Sequence, residues 1–126
     1  MIVGTGVDIA EVKRIQAAVN RFGERFLKRV FTPAELRYCM AKPNAAERLA
    51  ARFAAKEAGM KAIGTGLRLG VTWQDVEVLR MPGQRPVLKF NGKAAEFAAR
   101  LGCKRTHLSL SHTKEQAFAH VILEGE

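Results

Sequence analysis

Apolar and small residues alternate at the start of the chain, in the sequence MIVGTGVDIA. This two-residue period, with its content of Val and Ile, predicts a β-strand over residues 2–9. Asp8 would share a face of that strand with two glycines, which leave space beside its side chain. One face of the strand would carry Val3, Thr5, Val7 and Ile9, and the other would carry Ile2, Gly4, Gly6 and Asp8.

Three short segments have the residue spacing of helix starts, in which a capping side chain is followed three positions later by a glutamate. The first predicts a helix from about residue 10. The second predicts a short helix over residues 33–40, with proline at its first position. The third predicts the longest helix, over residues 45–63, with Gly64 as its C-terminal cap. The segments are Asp8-Ile9-Ala10-Glu11, Thr32-Pro33-Ala34-Glu35 and Asn44-Ala45-Ala46-Glu47.

The second half of the chain has the pattern of two strand pairs separated by a helix. A Pro82-Gly83 turn lies within the first pair and a short polar turn lies within the second. No repeat or Gly/Ser-rich linker interrupts the chain, so residues 1–126 are predicted to form a single α+β domain. In it, a mostly antiparallel sheet would pack against one long helix plus shorter helices. The predicted strands cover residues 73–81, 86–90, 106–112 and 117–123, and the predicted helix covers residues 92–101.

One glutamate stands among apolar neighbours in the longest predicted helix, in the stretch ARFAAKEAGMKAIGTG. At about 100° per residue, Glu57 falls between Phe53 and Ala54, near the middle of the stripe predicted to face the sheet. Lys61 follows one turn later on the same face. A helix ion pair fits this spacing, but an unpaired carboxylate on an apolar stripe is costly. Glu57 is therefore predicted to meet a positive group, either Lys61 alone or a metal ion as well.

Asp8 is the candidate for a second carboxylate near Glu57. Two carboxylates in one site favour a divalent cation, and Mg²⁺ takes few protein oxygens and often bridges to substrate phosphates. The spacing of Asp8 equally fits a helix cap. A residue at the end of a strand and the start of a helix could serve both roles.

Two further places in the chain carry candidates for binding a phosphorylated ligand. One is the segment directly after Lys61, and the other is near the C-terminus. The two glycines of Gly64-Thr65-Gly66 permit positive φ angles and could present backbone N–H groups to phosphate, although helices commonly end in glycine. His112, in the segment SHTK, is a possible functional histidine. His107 and His120 are interpreted as structural.

Charge and composition narrow the class of partner. The chain has 21 Lys and Arg against 12 Asp and Glu, a net charge of +9. This favours nucleic acid, an anionic surface, an acidic protein or a phosphorylated small molecule. Only 7% of residues are aromatic and no nucleic-acid-binding motif occurs, which argues against nucleic acid.

The location of the protein is predicted from segments that the chain lacks. No long apolar run indicates a membrane span, and the first residues do not have the pattern of a signal peptide. A cytoplasmic location is therefore expected. Cys39 and Cys103 are far apart in the sequence and are expected to be reduced thiols.

Three segments of the chain resemble the holo-[acyl-carrier-protein] synthases, which are the short bacterial type of 4′-phosphopantetheinyl transferase. They are GVDIAEVKRI, RFAAKEAGMKAIGTG and LSLSHTKEQAFAHVI, and they occur in the family's order across essentially the whole chain. The central pattern F-x-x-K-E-A-x-x-K-A-x-G-T-G is the most specific of the three. Ile63 stands where the family often has phenylalanine, a difference that concerns packing.

The resemblance implies a reaction. In that family, coenzyme A donates its phosphopantetheine arm to a serine of apo-acyl carrier protein, and adenosine 3′,5′-bisphosphate leaves. The resemblance implies that Asp8 and Glu57 hold Mg²⁺ against the coenzyme A diphosphate. It also implies that Lys61 contacts the phosphates and that His112 lies in the coenzyme pocket.

The resemblance also implies how the protein assembles and meets its partner. Short members of the family form trimers with active sites between protomers. The acidic helix of the carrier protein would dock on basic residues of the first helix. Those residues are Lys13, Arg14, Arg21 and Arg25.

Two questions stay open at this point. The serine needs a base, for which Glu57, a water bound to Mg²⁺ and His112 are candidates. Two other functions also fit part of the pattern. One is a small basic domain that binds nucleic acid, and the other is a non-catalytic binder of coenzyme A or a nucleotide that uses Lys61 and residues 64–66.

Overall fold

The order of helices and strands confirms the predicted α+β class. A computed structural model describes all residues, 1–126, and its longest helix is α4. The strands are β1 (Ile2–Glu11), β2 (Val76–Leu79), β3 (Val87–Phe90), β4 (Arg105–His112) and β5 (Gln116–Glu124). The helices are α1 (Val12–Phe22), α2 (Glu24–Val30), α3 (Pro33–Met40), α4 (Ala45–Ala62) and α5 (Gly92–Arg100).

The strands form two antiparallel sheets. The larger has the order β1-β5-β4, and β2 and β3 form a separate hairpin. In the larger sheet, Asp8 lies opposite Ala119, and Ala119 lies opposite Leu110 on the other neighbouring strand. The two sheets meet where Thr106 on β4 donates a hydrogen bond from its hydroxyl to the carbonyl of Leu88 on β3, at 2.8 Å.

The predicted cap at Asp8 is wrong. β1 continues through Glu11 because the strand keeps pairing with β5, and α1 begins only at Val12. Asp8 therefore lies inside a strand, and the residue at the cap position, Glu11, makes no side-chain capping hydrogen bond. The carboxylate of Asp8 is therefore available for contacts other than a helix cap.

The second predicted helix start is confirmed in detail. The backbone N–H of Glu35 donates to Thr32 Oγ1 at 3.2 Å, and the N–H of Thr32 donates to Glu35 Oε1 at 2.8 Å. The third is confirmed in position: Asn44 precedes α4, although its side chain makes no capping bond. Gly64 follows the end of α4 with a φ of 82°.

One predicted strand is shorter than expected. Residues 73–75 form a single 3₁₀ turn, so β2 begins at Val76 and not at Trp73. The carboxylate of Asp75 accepts the N–H of Thr72 at 3.0 Å, which favours a turn at this point. The Trp73 ring stacks on Phe53 of α4 with ring centroids 4.9 Å apart.

β1 and α4 approach each other unusually closely. A Cβ added to Gly4 would overlap the carbonyl oxygen of Ala62, and one added to Gly6 would overlap that of Ala58. The glycine face of β1 therefore packs on the helix, and Asp8 lies on that face. The opposite face of the strand leaves Val7 and Ile9 exposed.

Helix α4 is buried on nearly every side, which corrects the predicted orientation of Glu57. Ala58 and Ala62 face β1, and Gly59 faces the hairpin through Val76 and Leu88. Because Ala58 is one residue along, Glu57 lies about 100° away from the sheet-facing side. It is half-buried on the sector of the helix that remains open.

A buried ion pair joins α4 to α3 and β2. Lys56 Nζ lies 2.8 Å from Glu35 Oε1, and both side chains are fully buried. Lys56 also donates to the carbonyls of Trp73 at 3.0 Å and Val76 at 2.8 Å, and Glu35 Oε2 accepts the N–H of Val78 at 2.8 Å. Burial lowers the pKa of Lys56, and the charge of Glu35 opposes this.

None of the helices combines the length and the apolar character that crossing a bilayer requires.

Candidate active site

The close packing of β1 on α4 brings Asp8 and Lys61 into contact. Lys61 Nζ donates to Asp8 Oδ1 at 2.8 Å and to the carbonyl of Val7 at 3.2 Å. The hydrogen bond with Asp8 raises the pKa of Lys61. The Asp8 side chain is only 15% exposed, whereas that of Lys61 is 53% exposed, so the pair opens to solvent on the lysine side.

Glu57 completes this cluster without a hydrogen bond of its own. Burial raises its pKa, and the negative charge of Asp8 raises it further, while Lys61 and Arg14 lower it. Lys61 pairs with Asp8 and not with Glu57, so the alternative in which Lys61 alone meets Glu57 as a helix ion pair is excluded. Glu57 is thus a partly desolvated carboxylate close to a second carboxylate, with spare capacity to bind a cation or accept a proton.

The donor set of this cluster suits Mg²⁺. No group of three or more His, Cys, Asp or Glu side chains lies together. Two carboxylates are enough for Mg²⁺, which keeps waters and takes further oxygens from phosphates. The repulsion that raises the pKa of Glu57 is what a divalent cation between Asp8 and Glu57 would relieve. The residues present therefore fit the ion that the sequence predicts for them.

A groove beside Glu57 leads to the first helix. It has a volume of about 170 Å³, and both Glu57 and Arg14 line it. Lys13, Arg14, Arg21 and Arg25 are all exposed and none forms an ion pair. Arg25 belongs to α2, because Gly23 separates the two helices, so placing it on the first helix is wrong.

The segment after Lys61 does not form an open anion nest in this conformation. Gly64 and Gly66 have φ values of 82° and 61°, as predicted. However, the N–H of Gly64 donates to the carbonyl of Lys61, and the N–H groups of Thr65 and Gly66 both donate to that of Met60. These amides cap α4, so the expected row of free donors is wrong, and a coenzyme-binding role for residues 64–66 stays a prediction.

A second, strongly basic cleft lies on the other side of α4. It has a volume of about 350 Å³. Its arginines form no ion pair with any carboxylate, and Arg52 is 3% exposed with its Nε unpartnered. One buried arginine without a counter-charge, among three further arginines that form no ion pair, indicates a site for an anion. The charged and polar residues lining the cleft are Arg48, Arg52, Arg80, Arg85, Ser109 and His112.

His112 belongs to this basic cleft and not to the carboxylate cluster. It lies at the end of β4 opposite Ala117, and its Nδ1 is 3.4 Å from Glu47 Oε1. That contact is not aligned as a hydrogen bond, and Nδ1 is buried without a partner. Glu47 is about 15 Å from Glu57 along the axis of α4. Within one chain, therefore, His112 is separate from Glu57 and Lys61.

Four arginines of the cleft were not among the site residues predicted from the sequence. Arg48 and Arg52 are four residues apart on α4, and Arg80 and Arg85 flank the Pro82-Gly83 turn. The net charge of +9 indicated that a basic site could exist, but charge alone does not show which arginines lie together in the fold.

Comparison with known proteins assigns the chain to a family. A sequence model of the 4′-phosphopantetheinyl transferase superfamily matches residues 4–121. The holo-[acyl-carrier-protein] synthase of Koribacter versatilis is 64% identical over 124 residues, which is 98% of this chain and 99% of that relative. The chain belongs to the 4′-phosphopantetheinyl transferase superfamily. Within it, the chain is a member of the holo-[acyl-carrier-protein] synthases, an enzyme family.

Solved holo-[acyl-carrier-protein] synthases share this fold. The enzyme from Neisseria meningitidis superimposes with a TM-score of 0.87 at 35% identity, over 98% of this chain and 99% of that one. The synthase from Bacillus anthracis, described in complex with CoA (3′,5′-ADP), gives a TM-score of 0.81 at 36% identity, over 100% and 99%. The family resemblance predicted from the three motifs is confirmed.

Proposed function

We propose that this chain transfers the 4′-phosphopantetheine arm of coenzyme A to a serine of apo-acyl carrier protein, releasing adenosine 3′,5′-bisphosphate, in a Mg²⁺-dependent reaction. The observation that carries the proposal is the cluster of Asp8, Glu57 and Lys61, in which two carboxylates and a lysine meet at an opening to solvent. Membership of the holo-[acyl-carrier-protein] synthases supports the same reaction.

The chemistry needs charge neutralisation and a base. The serine oxygen forms a bond to the phosphorus that carries the pantetheine arm, and the bond from that phosphorus to the bridging oxygen breaks. Mg²⁺, held by Asp8 and Glu57, would supply positive charge at the diphosphate. Lys61 is the protein cation nearest this position and would face the charge that develops on the departing bisphosphate.

Glu57 is the proton acceptor that we favour for the serine. No protein hydrogen bond occupies its carboxylate oxygens and the group is partly buried, so an oxygen that the cation does not engage can accept the proton. His112 is too far from this cluster to act within the same chain. It would act only on a site that includes a neighbouring protomer.

The separation of the carboxylate cluster from the basic cleft supports an active site that two protomers share. The carboxylate cluster and the basic cleft lie on different sides of α4, yet both suit parts of one molecule of coenzyme A, which carries three phosphates. Exposed apolar residues on the outer face of the large sheet give a surface for association: Val7 is 56% exposed, Ile9 51% and Phe118 39%. We therefore propose a homotrimer in which the cluster of one protomer faces the cleft of another.

Subunit complementation tests the shared site. Glu57→Gln and His112→Gln chains, each expected to be weakly active, should regain activity when refolded together, because some sites then combine two intact halves. Refolding each variant alone is the control, and light scattering should give three times the 13.9 kDa mass of one chain. Mixed trimers without any gain in activity would show that each site lies within one chain.

A charge reversal at Arg14 tests carrier-protein docking. Arg14→Glu is expected to raise the KM for apo-carrier protein about tenfold and to leave the KM for coenzyme A unchanged, because steering and docking of an acidic partner are lost. Steady-state kinetics with each substrate varied in turn measures both constants. Arg100→Glu, on the distant helix α5, is the matched control. Equal effects on both KM values would argue against docking at this position.

A further inference from the structure

Tyr38, the only tyrosine of the chain, lies behind the basic cleft and does not line it. It is on α3, and four cationic side chains surround its ring. Three of them belong to arginines, two from α4 and one from the loop after β2. The distances to the ring centroid are 5.3 Å for Lys42 Nζ and 5.8, 4.4 and 5.8 Å for the Cζ atoms of Arg48, Arg52 and Arg80.

The ring supplies an electrostatic partner to cations that form no ion pair with a carboxylate; Arg48 also donates a hydrogen bond from its Nε to Asn44 Oδ1, at 3.3 Å. Like charges gathered without carboxylates repel one another, and the face of an aromatic ring attracts cations. The interaction is strongest when the cation is desolvated, as it is for Arg52, which is nearest the ring and 3% exposed. The Tyr38 hydroxyl also accepts a hydrogen bond from Arg48 Nη1 at 3.2 Å, which fixes the direction of a second guanidinium group.

We propose that Tyr38 is a positioning residue for coenzyme A: it holds Arg48, Arg52 and Arg80 in the orientation in which they receive the coenzyme's phosphates. This inference rests on the proposed function, in which the basic cleft takes part of coenzyme A. Tyr38 acts through the arginines and does not touch the ligand. Without the ring, the three guanidinium groups are held less firmly, and binding has to order them at a cost in side-chain entropy.

Calorimetric titration with coenzyme A measures this role. Tyr38→Leu is expected to weaken binding about tenfold, because the ring interactions with three arginines are lost together. Tyr38→Phe keeps the ring and is expected to weaken binding only about two- to threefold, through the lost hydrogen bond to Arg48. Met40→Ala, an exposed truncation on the same helix, is the control and should bind as the wild type does.

Steady-state kinetics distinguish a positioning role of Tyr38 from a general effect of the substitution on the structure. In Tyr38→Leu the KM for coenzyme A should rise about tenfold, while kcat at saturating coenzyme A and the KM for carrier protein stay unchanged. A fall in kcat without a change in KM would overturn the proposal. So would equal coenzyme A affinity in Tyr38→Leu and the wild type.

A third arm distinguishes failure of this inference from failure of the proposed function. Arg80→Gln, at an exposed residue of the cleft, should also weaken coenzyme A binding. If it binds like the wild type, the cleft does not hold the coenzyme and the assignment of the cleft fails. If it binds weakly while Tyr38→Leu binds normally, only the role of Tyr38 fails.

A measurement on the unaltered fold covers the case in which Tyr38→Leu does not fold. A chain labelled with 3-fluorotyrosine gives one ¹⁹F resonance, because Tyr38 is the only tyrosine. Coenzyme A should shift that resonance, since phosphates bound by the arginines at the ring change the electric field that the ring experiences. A resonance that stays in place at saturating coenzyme A would overturn the proposal.

Discussion

Replacing Glu57 by glutamine is expected to lower kcat by about a hundredfold to a thousandfold, the usual effect of removing a group that stabilises a transition state. The amide has the shape of the carboxylate but neither its negative charge nor its ability to accept the serine proton. Both proposed roles of Glu57, as a Mg²⁺ ligand and as a base, are therefore lost in one substitution.

The same substitution should not weaken the fold. Burial and the charge of Asp8 raise the pKa of Glu57. A carboxyl whose pKa is higher in the folded than in the unfolded state destabilises the fold when it is ionised, at pH values above its unfolded pKa. Glu57→Gln should therefore unfold at the same temperature as the wild type or at a slightly higher one.

Activity and thermal unfolding measured on the same samples test both expectations. Glu96→Gln, an exposed residue of α5, is the matched control and should change neither quantity. Normal turnover in Glu57→Gln would reject its place in the active site. A large loss of stability would instead mean that Glu57 has a structural partner.

Replacing Lys56 by methionine is expected to destabilise the protein by about 3–5 kcal/mol, the usual cost of leaving one half of a buried ion pair alone. Lys56 and Glu35 are fully buried, and Lys56 bonds Glu35 and two carbonyl groups at once. Without the ammonium group, Glu35 must stay charged without its partner or take up a proton.

Urea unfolding followed by circular dichroism measures this effect. Lys61→Met, five residues along the same helix, is the control: its ion pair with Asp8 is open to solvent on the lysine side and is expected to contribute only about 1 kcal/mol. The double variant Lys56→Met with Glu35→Gln should recover part of the loss, because no buried charge remains. If Lys56→Met and Lys61→Met lower stability equally, the buried pair does not hold α3, α4 and β2 together.

Local signals in the sequence predicted most of the elements. The capping box at Thr32 and Glu35 and the glycine after α4 depend on neighbours within a few residues, and both are present. The same spacing at Asp8 misled, because pairing of β1 with the distant strand β5 extends the strand through Glu11. A capping motif cannot reveal a competing strand partner more than 100 residues away.

The burial and orientation of Glu57 could not be predicted from a helical wheel, because they depend on contacts between α4 and other elements. The wheel assumes one buried face, but α4 packs against β1 on one side and the β2–β3 hairpin on another. The sequence correctly indicated that Glu57, Lys61 and Asp8 belong together. The sequence left open whether Lys61 pairs with Glu57; in the structure it pairs with Asp8, since Gly4 and Gly6 bring β1 close to α4.

The basic cleft required the folded chain. Its arginines come from α4 and from both sides of the turn between β2 and β3, and His112 comes from the end of β4. No spacing rule joins these segments. The family motif identified His112, but only the structure shows that it lies apart from Glu57 and among unpaired arginines.

Intact-mass spectrometry of an apo-acyl carrier protein tests the central claim most directly. After incubation with this protein, coenzyme A and Mg²⁺, the carrier should gain the mass of one phosphopantetheine group, and a Ser→Ala carrier variant at the acceptor position should gain none. Chelation of the metal should stop the gain. A carrier of unchanged mass, under conditions where this protein is folded and binds coenzyme A, would contradict the account.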